Sequence, residues 1–488
     1  MELFNAEGYE FARQVLQRGI AAVYLLAFIS AANQFPALLG EHGLLPAPRY
    51  LARIKGTAGR GIPTLFRRHY SDRFLLAVAW SGAAVAALLV AGPPQAGPPW
   101  LPMAAFLLIW FLYLSIVNIG QTFYAFGWES LLLEAGFLAA FLGSTETAPP
   151  VTVLFLFRWL VFRLEFGAGL IKMRGDRVWR DLTALYYHHE TQPMPNPASW
   201  YFHHLPKPLH RAEVLGNHFA QLVVPFFLFF PQPVAGIAAA VVIFTQCWLV
   251  LSGNFAWLNV LTILITFSAV ADSTVQVLPW AGFAAPDPAA TPVWFAVVVL
   301  AVTALMLYWA WEPLRNLFSS NQLMNASFNR WHLSNAYGAF GSITRSRNEV
   351  VLEGTLDEPG PDARWLEYGF KGKPGNPSRR PRQFAPYHLR LDWLMWFLAL
   401  GAAGGSWFPV LLQKLLEGDR RVLALLRTDP FDGTPPRWIR ARVYRYRFST
   451  PAERRADGVW WVREPAGFLT DPVGLIGPSS DAPSSDAP

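Results

Sequence analysis

The chain has 488 residues, of which 53% are hydrophobic and 15% are charged, and its net charge of +7 is modest. A soluble domain usually carries roughly 25% charged residues, so this composition is typical of a membrane protein. Because Cys247 is the single cysteine, an intramolecular disulfide, a CxxC redox centre and a cysteine-based zinc site are excluded. The acidic residues Glu2, Glu7 and Glu10 argue against a secretory signal peptide at the start.

Apolar segments that could cross a membrane recur along the first two thirds of the chain. A transmembrane helix needs roughly 20 apolar residues, and nine segments approach that length. The predicted spans are approximately 18–38, 74–92, 100–120, 124–143, 150–171, 214–231, 234–252, 254–271 and 293–311. The short breaks "PQP" and "SGN" predict that the helices flanking each of them are antiparallel neighbours.

Basic residues lie on one side of this predicted bundle. They are concentrated in the loops 39–73 and 172–213 and in the region after 312. The connections on the other side contain neither Lys nor Arg, and these are 93–99, 144–149, 231–233 and 272–291. This alternation supports nine spans, and the positive-inside rule assigns the basic side to the cytoplasm.

Charged residues also lie inside two predicted spans. The fifth span contains Arg158, Arg163 and Glu165, and the fourth contains Glu129 and Glu134. Charges inside a membrane are costly and normally face a partner or a watery cavity. Counted from the short connection between the two spans, residues of similar depth predict the ion pairs Glu134–Arg158 and Glu129–Arg163. Such pairs either fix the register of the helices or line a functional polar cavity.

The loop 172–213 is unusually rich in charges, aromatic residues and prolines. Asp176 is placed to cap a short amphipathic helix, "RVWRDLTALYYHH", in which Arg177 and Asp181 can pair at i, i+4. The prolines of "TQPMPNP" end that helix, and Trp200 returns the chain to the interface, where tryptophan is enriched. The pattern predicts a polar and aromatic platform at the membrane surface.

Six of the ten histidines fall in or next to this loop, namely His188, His189, His203, His204, His210 and His218. Their spacing matches no known ligand signature, and neighbouring histidines on a helix point in different directions. Hydrogen-bonded or interfacial histidines are the favoured interpretation, and a metal site completed by Glu190 or Asp181 is the weaker one. We therefore predict no metal ligands and no cofactor. Nucleic acid is not an expected partner, because the basic residues lie on short membrane loops.

The pattern changes after residue 312. "EVVLEGTLDE" and "RWLEYGFKGKPGN" alternate apolar and polar residues, and "RARVYRYRF" with "VWWVRE" predicts a long-looped β-hairpin. "RLDWLMWFLAL" is too short to span a membrane. The sequence thus predicts a mainly α, polytopic transmembrane bundle (1–311), a β-rich, α+β extramembrane domain with short amphipathic helices (312–472), and a disordered tail (473–488).

Four long motifs carry a resemblance to a known family. They are "RWLVFRLEFGAGLIKMRGDRVWRDLTALYYHHETQPMPNPASWYFHHLP", "NAYGAFGSITRSRNEVVLEGT", "WLEYGFKGKPGNPSRRPRQFAPYHLRLDWLMWFLAL" and "PRWIRARVYRYRF". In this order they resemble the lipase maturation factor family, and the similarity extends over nearly the whole chain. The resemblance implies a chaperone-like, non-catalytic membrane protein that assists folding or assembly of secreted lipases.

The same resemblance bears on location. The eukaryotic members of the family lie in the endoplasmic reticulum membrane, whereas the composition of this chain and its lack of a retention signal indicate a bacterial-type member in the plasma membrane. A folding role for exported clients requires the C-terminal region on the exported face. The charge rule places that region in the cytoplasm, so both orientations stay open.

Two function classes remain. The favoured one is a folding helper with an exposed apolar and aromatic surface, which partly folded clients would bind. The alternative is an integral-membrane enzyme or lipid-binding protein with a polar cavity at head-group level, loosely similar in layout to vitamin K-dependent carboxylases. A transporter is disfavoured, because the sequence shows no inverted halves.

The residues predicted to form the functional surface or cavity come mainly from the loop 172–213. The full set is Arg163, Glu165, Lys172, Arg174, Asp176, Trp179, Arg180, Asp181, His188, His189, Gln192, Asn196, Trp200, His203, Arg390, Asp392 and Trp393. Arg390 and Asp392 point about 200° apart on a helix, so we expect each to bind a partner elsewhere, with the loop 172–213 as a candidate. The expected partners are the lipid bilayer and a protein client, and the oligomeric state is open.

Overall fold

The structure is a computed structural model. It describes residues 4–55, 61–276, 289–401 and 405–475. The chain divides into two compact units. One comprises Met1–Arg345 with Pro381–Arg390, and the other comprises Ser346–Arg380 with Leu391–Pro488. We call them the helical unit and the sheet unit.

The helical unit contains sixteen α-helices among its described residues. They are α1 Glu10–Leu38, α2 Ala47–Lys55, α3 Asp72–Ala91, α4 Trp100–Val117, α5 Gly127–Ala139, α6 Val151–Arg174, α7 Arg177–Arg180, α8 Leu185–Thr191, α9 Ser199–His203, α10 Lys207–Leu222, α11 Val224–Phe227, α12 Val234–Ser252, α13 Leu258–Thr266, α14 Asp272–Gln276, α15 Val293–Trp309 and α16 Trp311–Phe318.

Each of the nine predicted spans overlaps at least one of these helices. Five helical segments are long and apolar enough to cross a membrane, and they are Glu10–Leu38, Asp72–Ala91, Trp100–Val117, Val234–Ser252 and Val293–Phe318. The predicted polytopic helical membrane protein with a C-terminal β-containing region is confirmed. The spans that differ most from a regular helix are the sixth, which is divided between α10 and α11, and the eighth, whose α-helix is only nine residues long.

The ends of the long helices follow local chemistry. The Ser71 side chain accepts a hydrogen bond from the N–H of Phe74 and caps α3, and Gly92 ends the same helix with φ +106°. A left-handed residue at this position is strongly favoured to be glycine. Gly82, in the middle of α3, lets Phe28 of α1 pack closely, because a Cβ there would lie 2.4 Å from the Phe28 ring. Small residues promote such close contacts between membrane helices.

The sheet unit is built on four antiparallel strands in the order β2-β1-β3-β4. The strands are β1 Arg347–Thr355, β2 Leu366–Glu367, β3 Trp438–Phe448 and β4 Trp461–Gly474. Its helices are α17 Arg390–Ala399, which begins at the boundary of the two units, α18 Trp407–Leu416, α19 Arg420–Leu423 and α20 Pro451–Asp457.

The predicted hairpin is confirmed, since β3 and β4 pair from Trp438↔Gly474 to Phe448↔Trp461. Helix α20 fills the connection between them and begins with a capping box, in which Thr450 and Glu453 satisfy each other's backbone N–H groups. Strand β4 continues to Gly474, two residues into the segment predicted to be disordered. Residues 476–488 lie outside the described part of the chain.

Gly167 is the point of closest backbone approach on α6. A Cβ at this position would lie 2.5 Å from the carbonyl oxygen of Tyr337. We expect Gly167→Ala to destabilise the protein by about 1–3 kcal/mol, because backbone must move to make room. Gly216→Ala in α10 is the matched control, since nothing lies within 4 Å of its added Cβ, and it should raise helix stability by up to about 1 kcal/mol. Thermal unfolding of the two variants in detergent measures this, and equal melting temperatures would contradict the packing argument.

Candidate functional site

Two separate buried networks surround Glu134 and Glu129, the two carboxylates of the predicted fourth span. In the first, Arg163 makes a salt bridge with Glu134, and the two side chains are 2% and 0% exposed. The Glu134 Oε2 atom also accepts hydrogen bonds from the Asn335 N–H at 3.1 Å and from the Tyr337 hydroxyl at 2.9 Å. Arg163 in turn donates to the Asn335 carbonyl at 2.6 Å. The pair therefore anchors the segment after α16 to the interior of the bundle.

The second network surrounds Glu129, which is fully buried. Arg390 Nη1 lies 2.6 Å from Glu129 Oε1, His388 Nδ1 lies 3.4 Å from the same oxygen, and the Tyr113 hydroxyl donates to Oε2. The Arg390 guanidinium also stacks over the Tyr124 ring at 3.5 Å from the centroid. These contacts join the segment 381–390 to α4 and α5 of the same unit.

The predicted partners of the two carboxylates were wrong. Arg158 does not reach Glu134 and instead donates from Nε to the Ser268 carbonyl at 3.1 Å. Arg158 and Arg163 are five residues apart on α6 and so point about 140° apart, and only Arg163 faces Glu134. The prediction compared only how deep each residue lies in the membrane, counted from the connecting loop. It did not include the direction in which each side chain points around the helix axis. Glu129 takes Arg390, which is 261 residues away in the sequence, so no local pattern indicates the pair.

A third polar cluster follows one face of α6. The Glu165 carboxylate accepts hydrogen bonds from Gln246 Nε2 at 2.6 Å and from Gln221 Nε2 at 3.2 Å. Lys172 donates to the other end of the same Gln221 amide at 2.8 Å and to Asn217 at 2.9 Å. Gln221 thus links the lysine and the carboxylate without direct contact between them, and the cluster ties α6 to α10 and α12.

The loop 172–213 begins as predicted and then departs from the prediction. The Asp176 side chain caps α7 by accepting from the Val178 N–H, and Arg177 lies 3.2 Å from Asp181. The expected continuous helix is wrong, because Leu182 has φ +58° and separates α7 from α8. A left-handed backbone at leucine is uncommon and ends a helix. The break turns the chain so that α8 packs against α10.

Most of the predicted platform residues are interior. Trp179 is 4% exposed and Trp200 7%, and the Trp179 indole donates to the Phe340 carbonyl at 2.7 Å. Gln192 bonds the Ser252 carbonyl at 2.9 Å, and Asn196 bonds the Val250 carbonyl at 3.2 Å. The prediction of an exposed surface made of these side chains is therefore wrong, because both tryptophans are buried and the two amides bond backbone carbonyls at the end of α12.

The basic residues at the start of the loop also donate hydrogen bonds to backbone carbonyl groups. Arg174 donates to the carbonyls of Leu317 at 2.9 Å and Ser319 at 3.2 Å. Arg180 is exposed and donates to the Met173 carbonyl at 3.3 Å. These contacts join the end of α6 to the end of α16 and to the start of the loop.

Three histidines of the loop have side chains that are largely removed from solvent. His188 is buried with its ring centroid 5.4 Å from that of Phe340, and burial, with Lys172 adding to it, lowers its pKa to about 4. Burial also lowers the pKa of His203 to about 4, although Glu190 Oε2 lies 3.7 Å from its Nε2 atom. Burial and neighbouring histidines lower the pKa of His189 well below its ordinary value. These imidazoles are neutral at pH 7.

Arg390 does not bind the loop 172–213 as expected. Arg390 pairs with Glu129, as described above. In the sheet unit, Asp392 Oδ1 accepts hydrogen bonds from the N–H groups of Gly372 at 2.6 Å and Lys373 at 3.0 Å. Trp393 is 3% exposed. Asp392 therefore holds a turn of its own unit.

Several residues that complete these networks were not predicted. Asn335, Tyr337 and His388 lie in segments without a helical or strand pattern, so no periodicity indicates them. Gln221 is uncharged, so the argument from charges inside predicted spans does not indicate it. Glu213, which lies 4.0 Å from His189, was also not predicted. The sequence did contain a signal for it, because it follows His210 by three residues on a helix and such residues share a face.

Comparison with known proteins defines the class. Residues 11–277 match the lipase maturation factor transmembrane domain, and residues 333–470 match the lipase maturation factor C-terminal domain. The helical membrane part and the strand-containing part thus correspond to the two domains of one family. The chain belongs to the lipase maturation factor family.

Named relatives agree with this assignment. The chain is 42% identical to lipase maturation factor 1 of Homo sapiens, over 95% of this chain and 88% of the relative. It is 41% identical to lipase maturation factor 1 of Bos taurus, over 96% and 90%, and 30% identical to lipase maturation factor 2 of Gallus gallus, over 96% and 82%. No solved structure matches the chain.

The Arg163–Glu134 pair gives a direct test of the buried network. We expect Arg163→Met to cost about 3–5 kcal/mol, because it leaves a buried carboxylate without its cation. Arg158→Met, on the same helix, removes one hydrogen bond to a carbonyl and should cost about 1 kcal/mol. The free energy of unfolding of both variants in detergent measures the difference, and equal losses would show that the pair does not stabilise the bundle.

Proposed function

We propose that this protein is a lipase maturation factor that assists the folding or assembly of secreted lipases, and that it acts without catalysis. The observation that carries the proposal is the match to both domains of the family together with 42% identity to lipase maturation factor 1 over 95% of the chain. A match of this extent includes the membrane part and the C-terminal part, so the proposal does not depend on one motif.

The contacts of the candidate residues support a structural role for them. An enzyme would aim polar groups at a shared cavity. Instead, Arg163 bonds Glu134, and Gln221 links Lys172 to Glu165. These polar groups satisfy one another and hold the helices in register, so the enzyme alternative is not favoured.

A cavity of about 630 Å³ lies at the N-terminal end of α6, whereas Lys172 lies near its C-terminal end. It is lined by Asn5, Ala6, Glu7, Tyr9, Val151, Leu154, Phe155 and Arg158. Arg158 and Lys172 are 14 residues apart on one helix, which corresponds to about 20 Å. The cavity therefore does not bring together the candidate residues from the loop 172–213.

Residues 1–311 would form the membrane bundle in this proposal, and residues 312–472 would meet the client. Among the described residues of the sheet unit, β4 is an edge strand, and it carries the exposed apolar residues Phe468, Leu469 and Val473, with Leu475 directly after it. An unpaired edge with apolar side chains suits a partly folded chain, which can add its own strand there.

The client proposal predicts a selective loss of lipase. Deleting the gene in the native host should lower the specific activity of secreted lipases and leave unrelated secreted enzymes unchanged. Complementation with the wild-type gene should restore the activity. Unchanged lipases in the deletion strain would contradict the proposal, and an altered lipid profile beside them would favour an enzyme.

The β4 surface can be tested by the same complementation. We expect Leu469→Ser with Leu475→Ser to lower lipase activity severalfold at unchanged abundance of the factor, because the substitutions remove exposed apolar contacts rather than core. Leu400→Ser, an exposed leucine after α17, is the matched control and should complement fully. Full activity of the β4 double variant would remove this surface from the proposal.

Orientation is the remaining part of the proposal. We place the protein in the plasma membrane with the sheet unit on the exported side, where a secreted client is found. In a Cys247→Ala background, Gly360→Cys should react with a membrane-impermeant thiol reagent in intact cells, since position 360 is exposed. Reaction only after lysis would put the sheet unit in the cytoplasm, as the charge rule predicts.

A further inference from the structure

Three residues of the helical unit converge in a way that the family role does not explain. His189 lies on α8, and His210 and Glu213 lie three residues apart on one face of α10. One possible ligand atom from each residue lies within 4.8 Å of the other two. The distance from His189 Nε2 to Glu213 Oε1 is 4.0 Å.

Several polar atoms of these side chains have no hydrogen-bond partner, which points to a missing ligand. Both ring nitrogens of His189, the Nδ1 atom of His210 and the Oε2 atom of Glu213 are buried without a hydrogen-bond partner. His189 is 1% exposed and His210 2%. A buried polar atom without a partner costs about 1–3 kcal/mol. One ion could bind one atom from each of the three residues and so remove a substantial part of this cost.

Neighbouring groups hold His210 and Glu213 in place by hydrogen bonds, as the groups around a metal site usually hold its ligands. His210 Nε2 lies 3.3 Å from the His203 carbonyl, and a proton on Nε2 leaves the Nδ1 lone pair for a metal. Glu213 Oε1 accepts a hydrogen bond from the Trp248 indole at 2.7 Å, which leaves Oε2 available. The helix break at Leu182 is what brings α8 against α10.

We propose that His189, His210 and Glu213 bind a divalent transition-metal ion of the Zn²⁺ type. Two imidazoles and one carboxylate are a ligand set that such ions prefer, with a position left open for water or a further ligand. Ligand atoms about 2.0–2.2 Å from one ion are about 3.3–3.6 Å apart in a tetrahedral site. The observed separations reach 4.8 Å, so side-chain rotation would have to bring the three ligand atoms closer together on binding.

The site would be structural. It joins α8 to α10 and so closes the segment 192–206, which contains only the short helix α9. The inference is independent of the lipase proposal, because metal binding is measured on the purified chain without a client.

Zinc binding to the full-length protein in detergent tests the proposal. After chelator treatment, wild type should bind one equivalent of Zn²⁺ in competition with a fluorescent chelator. Glu213→Gln keeps the side-chain shape and an oxygen acceptor for Trp248, and it should weaken binding at least tenfold. His210→Asn should do the same. His204→Gln is the control from the same loop, because the Nδ1 atom of His204 is occupied by the Trp200 carbonyl at 2.7 Å, and it should bind like wild type.

A second measurement does not depend on variants that fold. Co²⁺ added to the chelator-treated wild type should give visible d–d absorption of four- or five-coordinate cobalt with nitrogen and oxygen ligands, and Zn²⁺ should abolish it. No Zn²⁺ binding by wild type, a weakening by His204→Gln equal to that of Glu213→Gln, or a cobalt spectrum of the hexa-aqua ion would each overturn the proposal.

Discussion

Carboxylates buried among apolar helices must be matched by a cation or by hydrogen-bond donors, and this requirement organises the helical unit. Glu134 is matched by Arg163, and Glu129 is matched by Arg390. Glu165 is matched by side-chain amides rather than by direct contact with a cation. Because removing one partner of a buried pair costs far more than the pair contributes, each match fixes the position of the segment that supplies it.

Some of the groups that pair with these carboxylates come from segments without regular structure. This explains why those segments lie in the interior of the bundle. Asn335 donates to Glu134 from a stretch without regular structure, and His388 and Arg390 reach Glu129 from the short segment 381–390. Asn254 plays the corresponding role at the break between α12 and α13, where it bonds the carbonyls of Pro195 and Arg382. In a membrane, non-helical backbone is tolerated where protein groups satisfy it, and these side chains do so.

Local chemistry was predictable wherever the relevant partners are close in sequence. The positions of the apolar helices, the β3–β4 hairpin, the Asp176 cap and the Arg177–Asp181 pair all follow from periodicity, propensity and helix spacing. The prediction failed where rotation about a helix axis decides the contact, as for Arg158 and Arg163. It also failed at Leu182, whose left-handed backbone no local propensity favours.

The sequence by itself determined the class of the protein: a helical membrane part, a strand-rich part after it, and the family that the long motifs resemble. Apolar length and strand alternation are properties of contiguous residues, so they can be seen without the fold. Only the tertiary structure decided which charged residues form pairs. It also decided that Trp179 and Trp200 of the loop 172–213 are buried, and that His189 lies close to His210 and Glu213. Those outcomes depend on distances between residues far apart in the chain, and packing sets these distances.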